Sequence, residues 1–96
     1  MKIKILDEAK NDLENGVKFY KLQSPNLGGY FLDSILSDIE SLYIYYGIHI
    51  KVKNYHRLLS KRFPYAIYYK YDNDTIYIYA ILDCRSNPIF TNKRLS

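Results

Sequence analysis

Lys61-Arg62-Phe63-Pro64-Tyr65-Ala66-Ile67-Tyr68-Tyr69-Lys70-Tyr71-Asp72-Asn73-Asp74-Thr75-Ile76-Tyr77-Ile78-Tyr79-Ala80-Ile81-Leu82-Asp83 is the stretch whose reading decides the fold. Two runs rich in Tyr and Ile, Tyr65 to Tyr71 and Thr75 to Asp83, flank Asp72-Asn73-Asp74, whose short polar side chains favour a tight turn. The pattern predicts a β-hairpin. With a two-residue loop at Asn73-Asp74, Tyr69 faces Ile78, Tyr68 faces Tyr79 and Ile67 faces Ala80. One face then carries Tyr65, Ile67, Tyr69, Tyr71, Ile76, Ile78, Ala80 and Leu82, an apolar set that needs a covering layer. The other carries Tyr68, Lys70, Tyr77, Tyr79 and Asp83, and the same alternation carried outward puts Arg62 and Arg85 there too. The expected result is an open, basic, tyrosine-lined surface.

Upstream, Tyr55 to Ser60 reads as a third strand, so that three consecutive strands form an antiparallel meander. The covering layer lies earlier still. From Asp7, a plausible N-cap, Ala9, Leu13, Val17 and Tyr20 recur at helical spacing and predict a helix near 8–22. Ser24-Pro25 begins a second helix with proline at the first helical position, where its missing N–H costs nothing. Phe31, Ile35, Ile39, Leu42 and Tyr46 give that helix one apolar stripe, ending at Gly47. Their short connection implies an antiparallel helical hairpin. Lys2 to Leu6 alternates as a short N-terminal strand, and Pro88 to Ser96 is read as a tail. The expected fold is α+β: an N-terminal strand and an antiparallel helical hairpin packed on a mainly antiparallel sheet, in the order β-α-α-β-β-β, as one domain over 1–96.

Hydrophobic residues make up 48% of the 96-residue chain and charged residues 25%, enough apolar surface for a core and no sign of disorder. The lone Cys84 has no partner for an internal disulfide, and no Cys/His set has zinc-site spacing, so neither a metal nor a cofactor is expected. The N-terminus lacks the apolar core of a signal peptide and no stretch approaches a membrane span, which makes the expectation a cytoplasmic protein with no membrane partner. Charge is uneven. Residues 1–46 carry five Lys/Arg and seven Asp/Glu, whereas residues 47–96 carry nine and three. Lys51, Lys53, Arg57, Lys61 and Arg62 fall between Gly47 and Arg62 with no carboxylate among them, which favours a polyanionic or acidic partner. A simply solvated basic face is the alternative.

Ala9-x-x-Asp12-Leu13, the hinge Tyr20…Pro25…Gly29-x-Phe31, the strand Lys61-Arg62-Phe63-Pro64-Tyr65-Ala66-Ile67-Tyr68-Tyr69 and the run Ile76 to Asp83 followed by Cys84-Arg85-Ser86-Asn87-Pro88 stand in one order. Together they resemble the toxins of the RelE/ParE superfamily, which belong to bacterial type II toxin–antitoxin systems. That resemblance implies a cognate antitoxin protein as partner. It also implies one of two targets: mRNA on the ribosome, cut by RelE-like members, or DNA gyrase, poisoned by ParE-like members. Fold alone does not choose between them.

RNA cleavage by 2′-hydroxyl attack needs a base, a stabiliser of charge on phosphorus and an acid for the leaving oxygen. Arg62 and Arg85 match the two arginines that RelE-like members place on the sheet, and guanidinium forks suit phosphate. Ordinary strand-end arginines are the competing reading. Lys51, Lys53 or Lys61 can serve as base if neighbouring positive charge lowers a lysine pKa. The acid departs from the family pattern: after Arg85 the chain reads Asn87-Pro88-Ile89-Phe90-Thr91-Asn92, without the usual Tyr or His. His56 or His49 can substitute, or can be structural. The catalytic candidates are therefore Arg62, Arg85, Lys61 and His56. Lys51, Lys53, Arg57, Tyr68 and Tyr79 are candidates for nucleic-acid contact, the tyrosines through stacking on bases, although tyrosine is equally a favoured strand residue. Ribosome-dependent mRNA cleavage is the first functional expectation. A non-catalytic gyrase inhibitor, or an attenuated member that mainly binds its antitoxin, is the alternative.

Overall fold

A computed structural model describes all residues 1–96. Its elements run β1 (Lys2–Ile5), α1 (Asp7–Gln23), α2 (Pro25–Glu40), α3 (Leu42–Tyr45), β2 (Lys51–Val52), β3 (Tyr55–Leu59), β4 (Tyr65–Tyr71), β5 (Thr75–Asp83) and α4 (Pro88–Arg94). The five strands form one sheet in the order β1-β5-β4-β3-β2. Only β1 runs parallel to its neighbour, with Lys2 beside Thr75 and Ile5 beside Ile78.

The helical hairpin forms as the stripes require. Ser24 alone separates the two helices and holds the cap position of the second without a side-chain bond there, with Pro25 at the first helical position. Asp7, read as a cap, is instead the first residue inside α1; Leu6 occupies the cap position and makes no side-chain bond there. The helices run antiparallel, since Gly16 meets Phe31 while Gly28 meets Lys21 near the connection. At Gly16 the approach is so close that a Cβ would lie 2.5 Å from the Phe31 ring. Glycine is there to let α1 settle on a fully buried aromatic.

The second helix does not continue to Gly47. Ser41 Oγ donates to the Asp38 carbonyl at 2.6 Å, offering the backbone an alternative partner, and the helix breaks into α2 and the single turn α3. Phe31, Ile35, Ile39 and Leu42 stay buried, whereas Tyr46 beyond the break is exposed. Gly47 adopts φ +86°, and its N–H donates to Tyr69 Oη at 2.9 Å. The left-handed turn there folds residues 47–50 back onto the sheet.

Register holds the main correction to the sequence reading. Tyr71↔Ile76, Lys70↔Tyr77 and Tyr69↔Ile78 pair as a two-residue loop demands, but Tyr68 then faces Ala80, not Tyr79, and Ile67 faces Ile81, not Ala80. Tyr79 is the extra residue, a β-bulge in β5. Beyond it every side chain of β5 changes face. Ile76, Ile78 and Ile81 therefore join Tyr65, Ile67 and Tyr69 under the helices, with Phe31, Ile35 and Leu42 completing the layer. Ala80 and Leu82, expected in that layer, sit on the opposite face with Ala66 and Tyr68.

That opposite face is not left open. The segment read as a tail forms α4, started by Asn87, whose side chain accepts from the Ile89 N–H at 2.9 Å, and by Pro88 at the first position. Leu95 closes over Ala66, Tyr68, Ala80 and Leu82 as a second apolar cluster.

Candidate functional site

Lys61 and Arg62 lie on the exposed β3–β4 connection, and two hydrogen bonds fix its ends. Ser60 Oγ donates to Asp38 Oδ2 at 2.7 Å, and the Cys84 N–H donates to the Pro64 carbonyl at 2.8 Å. The second bond brings the connection beside the end of β5, so Lys61, Arg62 and Arg85 share one end of the sheet. Phe63 anchors the connection inside, with its ring 4.9 Å from Tyr20 and 5.0 Å from Phe31. Neither Lys61 nor Arg62 forms an ion pair.

Arg85 does. Its Nε donates to Asp83 Oδ1 at 3.0 Å and its Nη2 to Asp83 Oδ2 at 2.8 Å, a two-pronged grip, while Nη2 also reaches Tyr20 Oη at 3.3 Å. Those hydrogen bonds hold the Asp83 carboxyl below its ordinary pKa and raise that of the guanidinium further. The bulge explains why: Asp83 now lies opposite Tyr65, on the helix side, and Arg85 turns with it toward α1. The expectation that Arg85 stands on the open face beside Arg62 is thereby corrected. Tyr65 lies below this grip, its phenol pushed up to about 12 by burial first and by Asp83 second. Burial likewise pushes the Cys84 thiol up.

His56 is elsewhere. It pairs with Tyr69, whereas the Lys61–Arg62 end of the strand begins beyond Leu59, opposite Ala66. Three residues of strand put it roughly 10 Å from that end. Its ring stacks on Tyr69 and Tyr71, centroids 5.1 and 5.4 Å away, and is 8% exposed. Nδ1 bonds the His49 carbonyl at 2.8 Å. His49 Nδ1 in turn shares a hydrogen bond with Tyr69 Oη, which accepts from the Gly47 N–H. Burial, then the nearby His56, lowers the His49 pKa. Both histidines thus brace the 47–50 turn. The structure brings Lys61, Arg62 and Arg85 to one end and leaves His56 out of reach of all three.

Of the nucleic-acid candidates, Lys51 and Lys53 are exposed at the opposite end, Lys53 in a left-handed turn with φ 51°. Arg57 sits on the α4 side opposite Tyr68, with a buried Nε that has no hydrogen-bond partner. Tyr68 is only 6% exposed beneath Leu95, which removes it as a stacking platform. Tyr79 remains accessible, edge-on to Tyr55 at 5.1 Å, with Lys70 Nζ 4.4 Å over the Tyr55 ring. Lys70 and Tyr55 belong to this platform and were missed as site residues, although their positions in strand alternation were legible. Also missed was Asp12. Its Oδ2 accepts the Ile81 N–H at 3.0 Å on the stretch of β5 that β1 is too short to cover, and both its oxygens hold Arg94.

No group of His, Cys, Asp and Glu stands close enough to hold a metal ion. No helix is long and apolar enough to cross a membrane.

No protein-family model matches the sequence, and no curated protein matches it. Among solved structures, a chain described as "Chromosomal ParDE TA system from P. aeruginosa" is similar, with TM-score 0.75 and 20% sequence identity over 84% of this chain and 92% of that one. The N-terminal strand, helical hairpin and mixed five-stranded sheet are thus a fold shared with that chain, and the α+β order agrees with the one expected from the sequence.

Proposed function

We propose that the chain is the toxin of a type II toxin–antitoxin pair, and that it arrests growth by binding its target, DNA gyrase, not by cutting mRNA. The observation that carries the choice is the two-pronged Asp83–Arg85 grip. A fork already filled by a carboxylate has little left to offer a phosphate. Proton transfer lacks support as well, since His56 is packed between tyrosines and burial raises both Tyr65 and Cys84 away from neutrality. The fold shared with a chain of a ParDE system supports the toxin reading and leaves the choice of target to the chemistry of the site.

One observation favours the RelE-like alternative: Lys61 and Arg62 are exposed, free of carboxylates, and at the same end as Arg85. The two readings separate in purified systems. The chain is added to gyrase acting on relaxed plasmid, and in parallel to a translation extract programmed with mRNA. Loss of supercoiling with intact message is the expected result; cut message with normal supercoiling would reverse the choice. A chain that leaves growth and both reactions untouched is the attenuated, antitoxin-binding member.

A further inference from the structure

We propose that the cleft where the β2–β3 turn meets the end of β4 binds a terminal phosphate group, free or as a monoester, with Lys51 and His56 as its principal contacts. The site goes beyond the toxin reading and stands at the opposite end of the sheet from Lys61, Arg62 and Arg85.

The cleft has a volume of about 570 Å³ and is lined by Lys51, Asn54, His56, Lys70 and Tyr71. That volume lies in the range of small-molecule sites. Register assembles it. Lys51 pairs with His56 across the β2–β3 hairpin, so the two side chains stand on one face of the sheet. Lys53 and Asn54 close the hairpin with φ 51° and 71°, the left-handed pair that a two-residue loop requires.

His56 supplies a polar atom with nothing to bind. The residue is 8% exposed and its ring stacks on Tyr69 and Tyr71, which fixes its orientation. Nδ1 bonds the His49 carbonyl at 2.8 Å, and because a carbonyl only accepts, Nδ1 carries the hydrogen. Nε2, on the other edge of the ring, has no protein partner. The side-chain atoms sealed off without a partner are Arg57 Nε and Arg94 Nε, so Nε2 is not sealed and reaches the surface through the cleft that His56 lines.

Charge and oxygen count name the ligand. No carboxylate lines the cleft. Asp72, next along the chain, spends Oδ1 on the Asp74 and Thr75 N–H groups and Oδ2 on the Tyr77 hydroxyl. Lys51 is exposed and forms no ion pair. The Lys70 ammonium rests 4.4 Å over the Tyr55 ring, a hold of about 1 kcal/mol that leaves it available as a second cation. A carboxylate ligand has two oxygens and no proton to share near neutrality. A terminal phosphate has three, and its second ionisation lies near about 6, so one proton is shared between a phosphate oxygen and Nε2 while the ammonium groups take the others. Lys51, Lys70, His49, Tyr69 and Tyr71 are the charged and titratable groups facing that ring, and none is a carboxylate. Tyr71, 41% exposed, offers a ring for a flat group carried by the phosphate.

The test follows NMR signals of the whole chain during titration with inorganic phosphate, AMP, a 5′-phosphorylated trinucleotide and adenosine. The three phosphates should shift Lys51 and His56, and adenosine should not. Whichever phosphate binds tightest names the source: the free ion, a mononucleotide or the end of a strand. Affinity should rise from pH 8 to 6.5, because the bound pair holds one proton more than a dianion and a neutral imidazole hold apart. Lys51→Glu, at an exposed position, should weaken AMP by roughly tenfold, whereas Lys53→Glu, outside the cleft, should change it by about twofold or less. His56→Gln should abolish the rise toward pH 6.5. Unmoved Lys51 and His56 signals with all three phosphates, binding of adenosine as tight as that of AMP, equal losses in the two lysine variants, or an affinity indifferent to pH overturns the proposal.

Discussion

Arg94 grips Asp12 with both terminal nitrogens, Nη1 to Oδ1 at 2.7 Å and Nη2 to Oδ2 at 2.8 Å, and so ties the last helix to the first. The Asp12 side chain is 9% exposed and that of Arg94 20%, while Arg94 Nε has only a long 3.4 Å approach to Glu8. Asp12 also satisfies the Ile81 N–H. Removing it strands three N–H donors at once. Asp12→Ala should cost about 2–4 kcal/mol, somewhat below the range for a fully buried pair because Arg94 keeps some access to water. Arg94→Ala in the same background should then add little. Urea unfolding of both single variants and the double variant measures this, and simple additivity would contradict the pairing.

At Gly16 two effects oppose each other. Alanine improves helix propensity by about 1 kcal/mol, but its methyl would lie 2.5 Å from the Phe31 ring, which is fully buried and has nowhere to withdraw. Overpacking of this kind costs about 1–3 kcal/mol, so Gly16→Ala should be destabilising on balance. Thermal unfolding should show a Tm several degrees lower, and a raised Tm would mean that the helices separate more readily than this contact implies.

The 47–50 turn should loosen in acid. His49 is held below its ordinary 6.5 by burial and by His56, so the unfolded chain takes up the proton more readily than the folded one. The stability that neutral His49 contributes is complete above 6.5 and is lost as pH falls through its lower folded value. Denaturation between pH 7.5 and 5 should show this loss, and His49→Gln should flatten it. An unchanged pH slope in that variant would assign the acid sensitivity elsewhere.

Arg62→Ala and Arg85→Ala should leave the fold intact. The Arg85–Asp83 pair is half-exposed on the arginine side, and such pairs contribute about 1 kcal/mol or less. On the binding reading both variants still arrest growth at matched folded concentration. Loss of arrest in both, with mRNA cleavage by the parent chain, would restore the phosphate role of these arginines.

The hairpin, the helical stripes and the short first strand were legible because each is a local periodicity written over several turns or pleats. What escaped was set by single residues. Tyr79 interrupts no alternation and has no glycine beside it, so nothing local marks a bulge; only the two-layer packing, with Ile81 rather than Ala80 turned to the helices, selects it. α4 did carry a signal. Asn87-Pro88 repeats the cap-plus-proline grammar of Ser24-Pro25, but the helix it starts is seven residues long with no buried stripe of its own. Leu95, just past its end, does the anchoring. For the candidate site, proximity in sequence placed Lys61 and Arg62 correctly at the strand end. The fate of Arg85 depended on the bulge at Tyr79, six residues upstream, and that of His56 on rings contributed by another strand.

The bulge at Tyr79 gives β5 one residue more than β4 sets against it. Deleting that residue would leave Ile78 opposite Tyr69 and Ala80 opposite Tyr68 as they stand, so Ile81 would stay under the helices and Asp83 and Arg85 would keep their side. A β5 that paired Tyr79 instead of absorbing it would turn both charges to the face of Lys70 and Tyr77. Loss of that one codon is therefore a change the sheet can take without altering which charges it displays.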